Sequence, residues 1–359
     1  MPEPLKNIYS AEFIHSFCKI INKIDKQFNS KKFTTCIFDN EWKNRELKGR
    51  MRHIAETLHT HLPKDYSKAI TILKKASQKH NGFEYMFLPD YVELYGLDKY
   101  QESILALEHF TTYSSSEFAV RPFIQKYNKK MMSQMMKWAK SDNLHHRRLA
   151  SEGCRPRLPW AMGLPEFKKD PTPVIKILEK LKNDDSEYVR RSVANNLNDI
   201  AKDHPKLVIQ IAKDWKGLND NTDWVVKHGC RTLLKQGNPK IMSLFGFTKP
   251  NHISIDKFKI QKSVNLGDKL EFSFDIYTPK KKLGKLRIEY AVDFMKKNGK
   301  LSRKVFKISE SVFPENNKSV KKHHSFKFIT TRKYYTGIHG LAIIINGHEL
   351  ASGKFKVRD

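Results

Sequence analysis

The 359-residue sequence has no stretch approaching the roughly 18 apolar residues of a membrane-spanning helix, so no helical span is expected. Its cysteines are few, Cys18, Cys36, Cys154 and Cys230, and none forms a Cys-x-x-Cys pair, which argues against a zinc site or a disulfide framework. The first ten residues are polar and hold two prolines, unlike a secretory signal or a basic amphipathic presequence. A phosphate-cradling glycine loop, a His-Glu-x-x-His motif and a nucleophile elbow are missing. The His145-His146 and His323-His324 pairs have no further ligands at metal-binding spacing. A soluble, cytoplasmic protein of bacterial type is therefore expected, with reduced thiols and with neither metal nor organic cofactor.

Acids are scarce beside bases. There are 38 Asp+Glu against 67 Lys+Arg, a formal net charge of +29, and such a surface gathers polyanions. Hydrophobic residues at 39% and aromatics at 11% supply a packed core, so the charge is not that of a disordered tail. Residues 251–359 carry 24 basic and 10 acidic residues, a net of +14 against +15 for the longer remainder. Basicity is thus not confined to one part of the chain.

The hydrophobic period changes along the sequence. Pro171–Leu181 and His204–Asp214 place apolar residues three and four apart, with Pro171, Pro173 and Pro205 at plausible first turns of helices. The segments HRRLASEGC (146–154), VRRSVANNL (189–197) and VVKHGCRTL (225–233) align without gaps at spacings of 43 and 36 residues, the period of HEAT or armadillo-type repeats. Each is expected to open a helix. The small residues Ala150, Ala194 and Gly229 let neighbouring helices approach, and the cations recur on equivalent faces, either as a basic stripe or as solvated charge. After Gly246 the pattern becomes alternating, as in Lys269–Tyr277, with turn signals at Gly267-Asp268, Asn298-Gly299 and Asn346-Gly347. About seven short strands in about 110 residues suit an immunoglobulin-like sandwich. The expected fold is a multidomain α + β chain: an N-terminal HEAT-like helical repeat solenoid over residues 1–248, then a C-terminal antiparallel immunoglobulin-like β-sandwich over 251–359.

Two stretches stand out for chemistry. In SSSEFAVRPF (114–123), Ser114 and Glu117 have the spacing of a capping box at a helix start. In HRRLASEGCRPRLPW (146–160), Arg148 and Glu152 are placed at i, i+4 on one helix face. Gly153 then ends the helix and Pro156 and Pro159 stiffen the approach to Trp160, which suits either stacking on a base or packing between repeats. Asp199 reads as a helix-terminal surface acid or as a pocket acid, and Trp224 as core.

SSSEFAVRPF, RRLASEGCRPRLPW and VRRSVANNLNDIAKDHP, in that order between Thr111 and Gly237, resemble the bacterial DNA alkylation repair glycosylases built from HEAT-like repeats, most of all the AlkC branch, some of whose members carry an immunoglobulin-like domain. The resemblance implies excision of cationic N-alkylated bases, 3-methyladenine and 3-methylcytosine, from double-stranded DNA after the lesion is flipped from the stack. It implies site residues Glu117, Glu152, Trp160 and Arg148. The two tryptophans and the aspartate of the sister AlkD branch have no clear copy. Arg147, Arg190, Arg191, Lys227 and Arg231 are the candidates for contacting DNA, with the sandwich as a clamp. A monomer with no obligate protein partner is expected. The competing reading is a non-catalytic repeat scaffold that binds DNA or an acidic protein.

Overall fold

In the computed structural model, which describes residues 3–79, 81–329 and 332–359, helices follow one another from Ala11 to Leu244 and strands from Ser254 to Arg358. Contacts divide the chain into two units. One is the chain to His204 with Trp215–Gly229, the other Pro205–Asp214 with Cys230–Asp359. Among the described residues no helix is long and apolar enough to cross a membrane.

In the first unit the three-to-four spacing becomes buried stripes. The helix Thr172–Leu181 has proline in its first turn and buries Val174, Ile177, Leu178 and Leu181. The 43-residue repeat is written into the backbone bonds. Arg147 donates to the carbonyls of Ser141 (3.0 Å) and Asp142 (2.8 Å). Arg190, its counterpart one repeat on, donates to those of Asp184 (2.6 Å) and Asp185 (2.9 Å). Each arginine thus closes the loop that leads into its own helix. Neighbouring repeats are tied by short polar side chains: Ser151 Oγ donates to Ser192 Oγ at 2.6 Å, and Asn196 Nδ2 to the carbonyl of Ser151 at 2.8 Å. A Cβ added to Gly229 would lie 2.8 Å from Leu197 Cδ2, so glycine is what admits that helix to its neighbour. The third segment departs from the expectation. The helix Asp220–Gly229 stops and Arg231–Lys235 starts afresh beyond Cys230, so VVKHGCRTL spans a break.

The second unit carries eight strands among the described residues: β1 (Ser254–Ile260), β2 (Ser263–Asn265), β3 (Lys269–Tyr277), β4 (Gly284–Met295), β5 (Leu301–Phe313), β6 (Asn317–Ser325), β7 (Gly337–Ile345) and β8 (His348–Arg358). They form sheets of order β1-β3-β6 and β2-β8-β7-β4-β5. All pairs are antiparallel except β2 with β8, which is parallel. Leu270, Phe272, Phe274 and Ile276 alternate inward from β3 and join Ile288, Tyr290, Val292 and Ile343 in one core. The outward face of β4 is buried too, at Arg287, Glu289 and Ala291. There Arg287 bonds Glu289 and Glu310 at 2.6 Å each. The β7–β8 turn meets the preceding helical segment at two glycines. A Cβ on Gly237 (φ +65°) would fall 2.7 Å from the carbonyl oxygen of Gly347 (φ +80°). Asn346 locks this corner, donating to the carbonyl of Thr248 (2.9 Å) and accepting from the Arg287 amide (2.8 Å).

His324 on β6 makes this unit sensitive to acid. Its Nδ1 lies 3.0 Å from the Tyr290 hydroxyl and its Nε2 is buried without a partner. Burial, with the charges of Arg332, Lys304 and His323, pushes its pKa down from 6.5 to about 4. The unfolded chain takes up a proton near pH 6.5 that the folded unit refuses until about pH 4. Stability is therefore full above pH 6.5 and is lost as pH falls toward 4. Calorimetry between pH 4 and 8 should show a falling transition temperature, and a shallower fall in His324→Gln; an equal fall in both would remove His324 as the cause.

Candidate active site

The expected capping box does not form. Ser114 closes the helix Tyr100–Tyr113 and its hydroxyl is buried without a partner, while the next helix, Val120–Lys126, opens with no side-chain cap. The intervening turn is folded inward instead, because Ser116 Oγ donates to the carbonyl of Leu107 at 2.8 Å. This releases Glu117 from capping. Its Oε2 accepts from Ser115 Oγ at 2.8 Å and is ion-paired with Arg148.

Arg148 is the first joint in a row of alternating charge. Its Nη1 donates to Ser115 Oγ at 2.9 Å, and its Nη2 lies 3.6 Å from Glu152 Oε1, the i, i+4 partner seen in the sequence. Glu152 Oε1 accepts from Arg155 Nη1 at 2.7 Å. Arg155 continues to Asp199 Oδ2 through Nε and Nη2, 2.9 Å each, and Asp199 Oδ1 meets Lys202 Nζ at 3.1 Å. Glu117, Arg148, Glu152, Arg155, Asp199 and Lys202 thus run acid, base, acid, base, acid, base. The Glu152 and Asp199 side chains are only 6% and 3% exposed. Burial pulls Arg148 and Arg155 down, but their carboxylates outweigh it and hold both above the usual guanidinium range.

Asp199 is therefore not the surface acid that its place near a helix end suggested; it is 2% exposed. The sequence reading also passed over Arg155 and Tyr188. The Tyr188 ring is 4.9 Å from the Arg148 guanidinium and partly open to solvent. The one sequence signal for Arg155 was its spacing, three residues after Glu152.

Trp160 is 62% exposed, so it does not pack between repeats, and its backbone is left-handed at φ 63°. Lys48 Nζ donates to its carbonyl at 2.7 Å. Arg121, fully buried on the helix after Glu117, holds the same loop. Its Nη1 donates to the carbonyls of Gly153 and Arg155 (2.9 Å each) and its Nε to that of Met162 (2.7 Å). Burial brings Arg121 down to about 10.

Glu117, Arg148 and Glu152 are thus in direct contact, while the cations expected on the DNA face stand in different settings. Arg147 forks onto Asp184 at 2.6 and 3.1 Å besides closing its loop. Arg191 is exposed and paired with Glu187 one turn back. Lys227 is exposed in the helix Asp220–Gly229, and Arg231, half-buried, begins the helix that follows Cys230. The Trp224 ring is half-buried and stacked on His228 at 5.0 Å. Among the described residues no group of three or more His, Cys, Asp or Glu is arranged to hold a metal ion.

Residues 51–233 match the family model of the DNA alkylation repair enzyme. Residues 254–359 match that of the C-terminal Ig-like domain of the uncharacterised protein YhaZ. The chain is 46% identical over 355 residues to the uncharacterized protein YhaZ of Bacillus subtilis, with 98% of this chain and 99% of that one covered. Its fold is similar to that of the Pseudomonas fluorescens alkylpurine DNA glycosylase AlkC bound to DNA containing an abasic site analog. The TM-score is 0.94 at 35% identity, covering 99% of this chain and 100% of the other.

Proposed function

The chain belongs to the DNA alkylation repair enzyme family, and from that premise we propose that it is a monofunctional DNA glycosylase that releases cationic N-alkylated bases, 3-methyladenine and 3-methylcytosine, from double-stranded DNA. The observation that carries this reading is the row of three carboxylates, Glu117, Glu152 and Asp199, set in a protein of net charge +29. A scaffold that only grips phosphate gains nothing from holding three acids in such a row, since negative charge weakens its attraction for DNA.

A base methylated on such a ring nitrogen is already positive, so it departs neutral and needs no general acid. The remaining demands are to stabilise the oxocarbenium-like sugar and to direct water at the anomeric carbon. An anion does the first and a carboxylate oxygen that accepts the water's proton does the second. Glu117 takes its bonds on Oε2 and Glu152 on Oε1. The second oxygen of each carboxylate serves the water or the sugar. Arg148 and Arg155 orient the two groups, and Trp160 stacks on the cationic base, which the ring's negative face favours. The lesion must be exposed from its stack to reach them, and a base that pairs poorly lowers that cost. The strand-rich module, with its net charge of +14, adds phosphate contacts.

The test is to incubate the full chain with DNA methylated on ring nitrogens and to quantify free bases by mass spectrometry. Release of 3-methyladenine, leaving abasic sites whose strands break only on alkali treatment, is the expected result. Absence of any released methylated base would leave the non-catalytic scaffold as the reading.

A further inference from the structure

Trp160 holds a backbone conformation that a bulky residue adopts only under constraint, since a left-handed φ brings its Cβ against the neighbouring backbone. The constraint does not come from packing of the ring, which is 62% exposed. It comes from the carbonyls of the loop. Lys48 Nζ, from a helix 112 residues earlier in the chain, donates to the carbonyl of Trp160 at 2.7 Å. The same ammonium stands 4.9 Å from the centre of the Phe118 ring, the residue next to Glu117. Arg121, four residues beyond Glu117, grips the loop at both ends, at Gly153 and Arg155 on one side and Met162 on the other.

The Arg121 guanidinium has no carboxylate bonded to it, and its Nη2 is buried without a partner. Burying an unpaired cation is costly, and three carbonyl bonds are what it obtains in return. A lysine has no planar fork and would not span carbonyls on both sides of the loop. Both cations therefore connect the segment that carries Glu117 to the segment that carries Glu152, Arg155 and Trp160.

We propose that Lys48 and Arg121 are positioning residues that hold Trp160 in its left-handed conformation and in register with the two glutamates. The proposal rests on the glycosylase reading for its effect on rate, but not for its effect on Trp160 itself.

The experiment uses the full chain labelled with 5-fluorotryptophan, whose Trp160 resonance is identified by its loss in Trp160→Phe. Lys48→Met changes an exposed side chain and is the primary variant; Arg121→Lys, which keeps the charge and loses the fork, is the second. In both, the Trp160 fluorine resonance should shift or broaden while those of the buried tryptophans stay in place. Single-turnover release of 3-methyladenine at saturating protein should fall by about 10-fold in Lys48→Met, within the range of coupling between contacting residues. In a Trp160→Ala background the same substitution should change the rate by less than about twofold, because the residue it positions is gone. An unmoved Trp160 resonance in Lys48→Met, or losses that multiply fully in the double variant, would overturn the proposal. If the wild type releases no base, the glycosylase reading fails and the fluorine spectrum still decides the positioning role.

Discussion

Glu117→Gln and Glu152→Gln are each expected to slow single-turnover release of 3-methyladenine by about 10²- to 10⁴-fold, the range typical for a positioned proton-transfer or electrostatic group. Glutamine matches glutamate in size and keeps an oxygen for Ser115 and Arg148, or for Arg155, so the row Glu117–Arg148–Glu152–Arg155 persists in outline. On the proposed mechanism, what disappears is the anion opposite a sugar that becomes positive as the base leaves, together with the proton acceptor for water. Affinity for unmodified DNA should hold or rise, since each substitution removes one negative charge from a chain of net charge +29. Loss of excision with unchanged or tighter DNA binding separates a catalytic carboxylate from a structural one. If both variants work at the wild-type rate, the glutamates are not the reacting groups.

Arg155→Met should cost about 3–5 kcal/mol of stability, the cost of breaking a buried ion pair from one side. It leaves Glu152, whose side chain is 6% exposed, with Arg148 at 3.6 Å, and Asp199, 3% exposed, with Lys202 alone. Arg157 supplies the control two residues away. It also forks onto an aspartate, Asp203, at 2.6 and 3.0 Å, but the two side chains are 37% and 24% exposed. Water screens that pair, so Arg157→Met should cost no more than about 1 kcal/mol. Adding Asp199→Asn to Arg155→Met should recover part of the loss by removing one stranded charge. Urea unfolding of the four proteins measures this; equal losses for Arg155 and Arg157 would refute the buried row as a unit.

Both expectations come from groups that the chain brings together over very different separations, and this governs how much was readable beforehand. The switch from a three-to-four period to alternation marks where helices give way to strands, and it appears in the structure between Leu244 and Ser254. Contacts, however, group Cys230–Asp359 with Pro205–Asp214; within that unit the outer face of β4 is buried and the Gly237–Gly347 approach ties the last helices to the β7–β8 turn. Periodicity reports which way a side chain faces along its own element and carries no word of what covers it. The parallel β2–β8 pair was hidden for the same reason: alternation does not say which strand lies alongside.

The candidate site divides in the same way. Arg155 lies beyond the helix end and was passed over, but Arg148 and Glu152 lie one turn apart in Leu144–Glu152, a meeting that the sequence dictates through 3.6 residues per turn. The sequence by itself determined as well the excess of positive charge and the few acids set against it. Only the tertiary structure decided that Ser114 would end one helix rather than start the next. It decided too that Asp199 would be buried against Arg155, 44 residues away, and that Lys48 and Arg121 would hold the Trp160 loop across 112 and 41 residues. The physical reason is that a helix or strand dictates neighbours within a few residues, whereas burial of a charge and restraint of a loop depend on which repeats stack. That choice is made by the summed packing of the core and by no single residue pair.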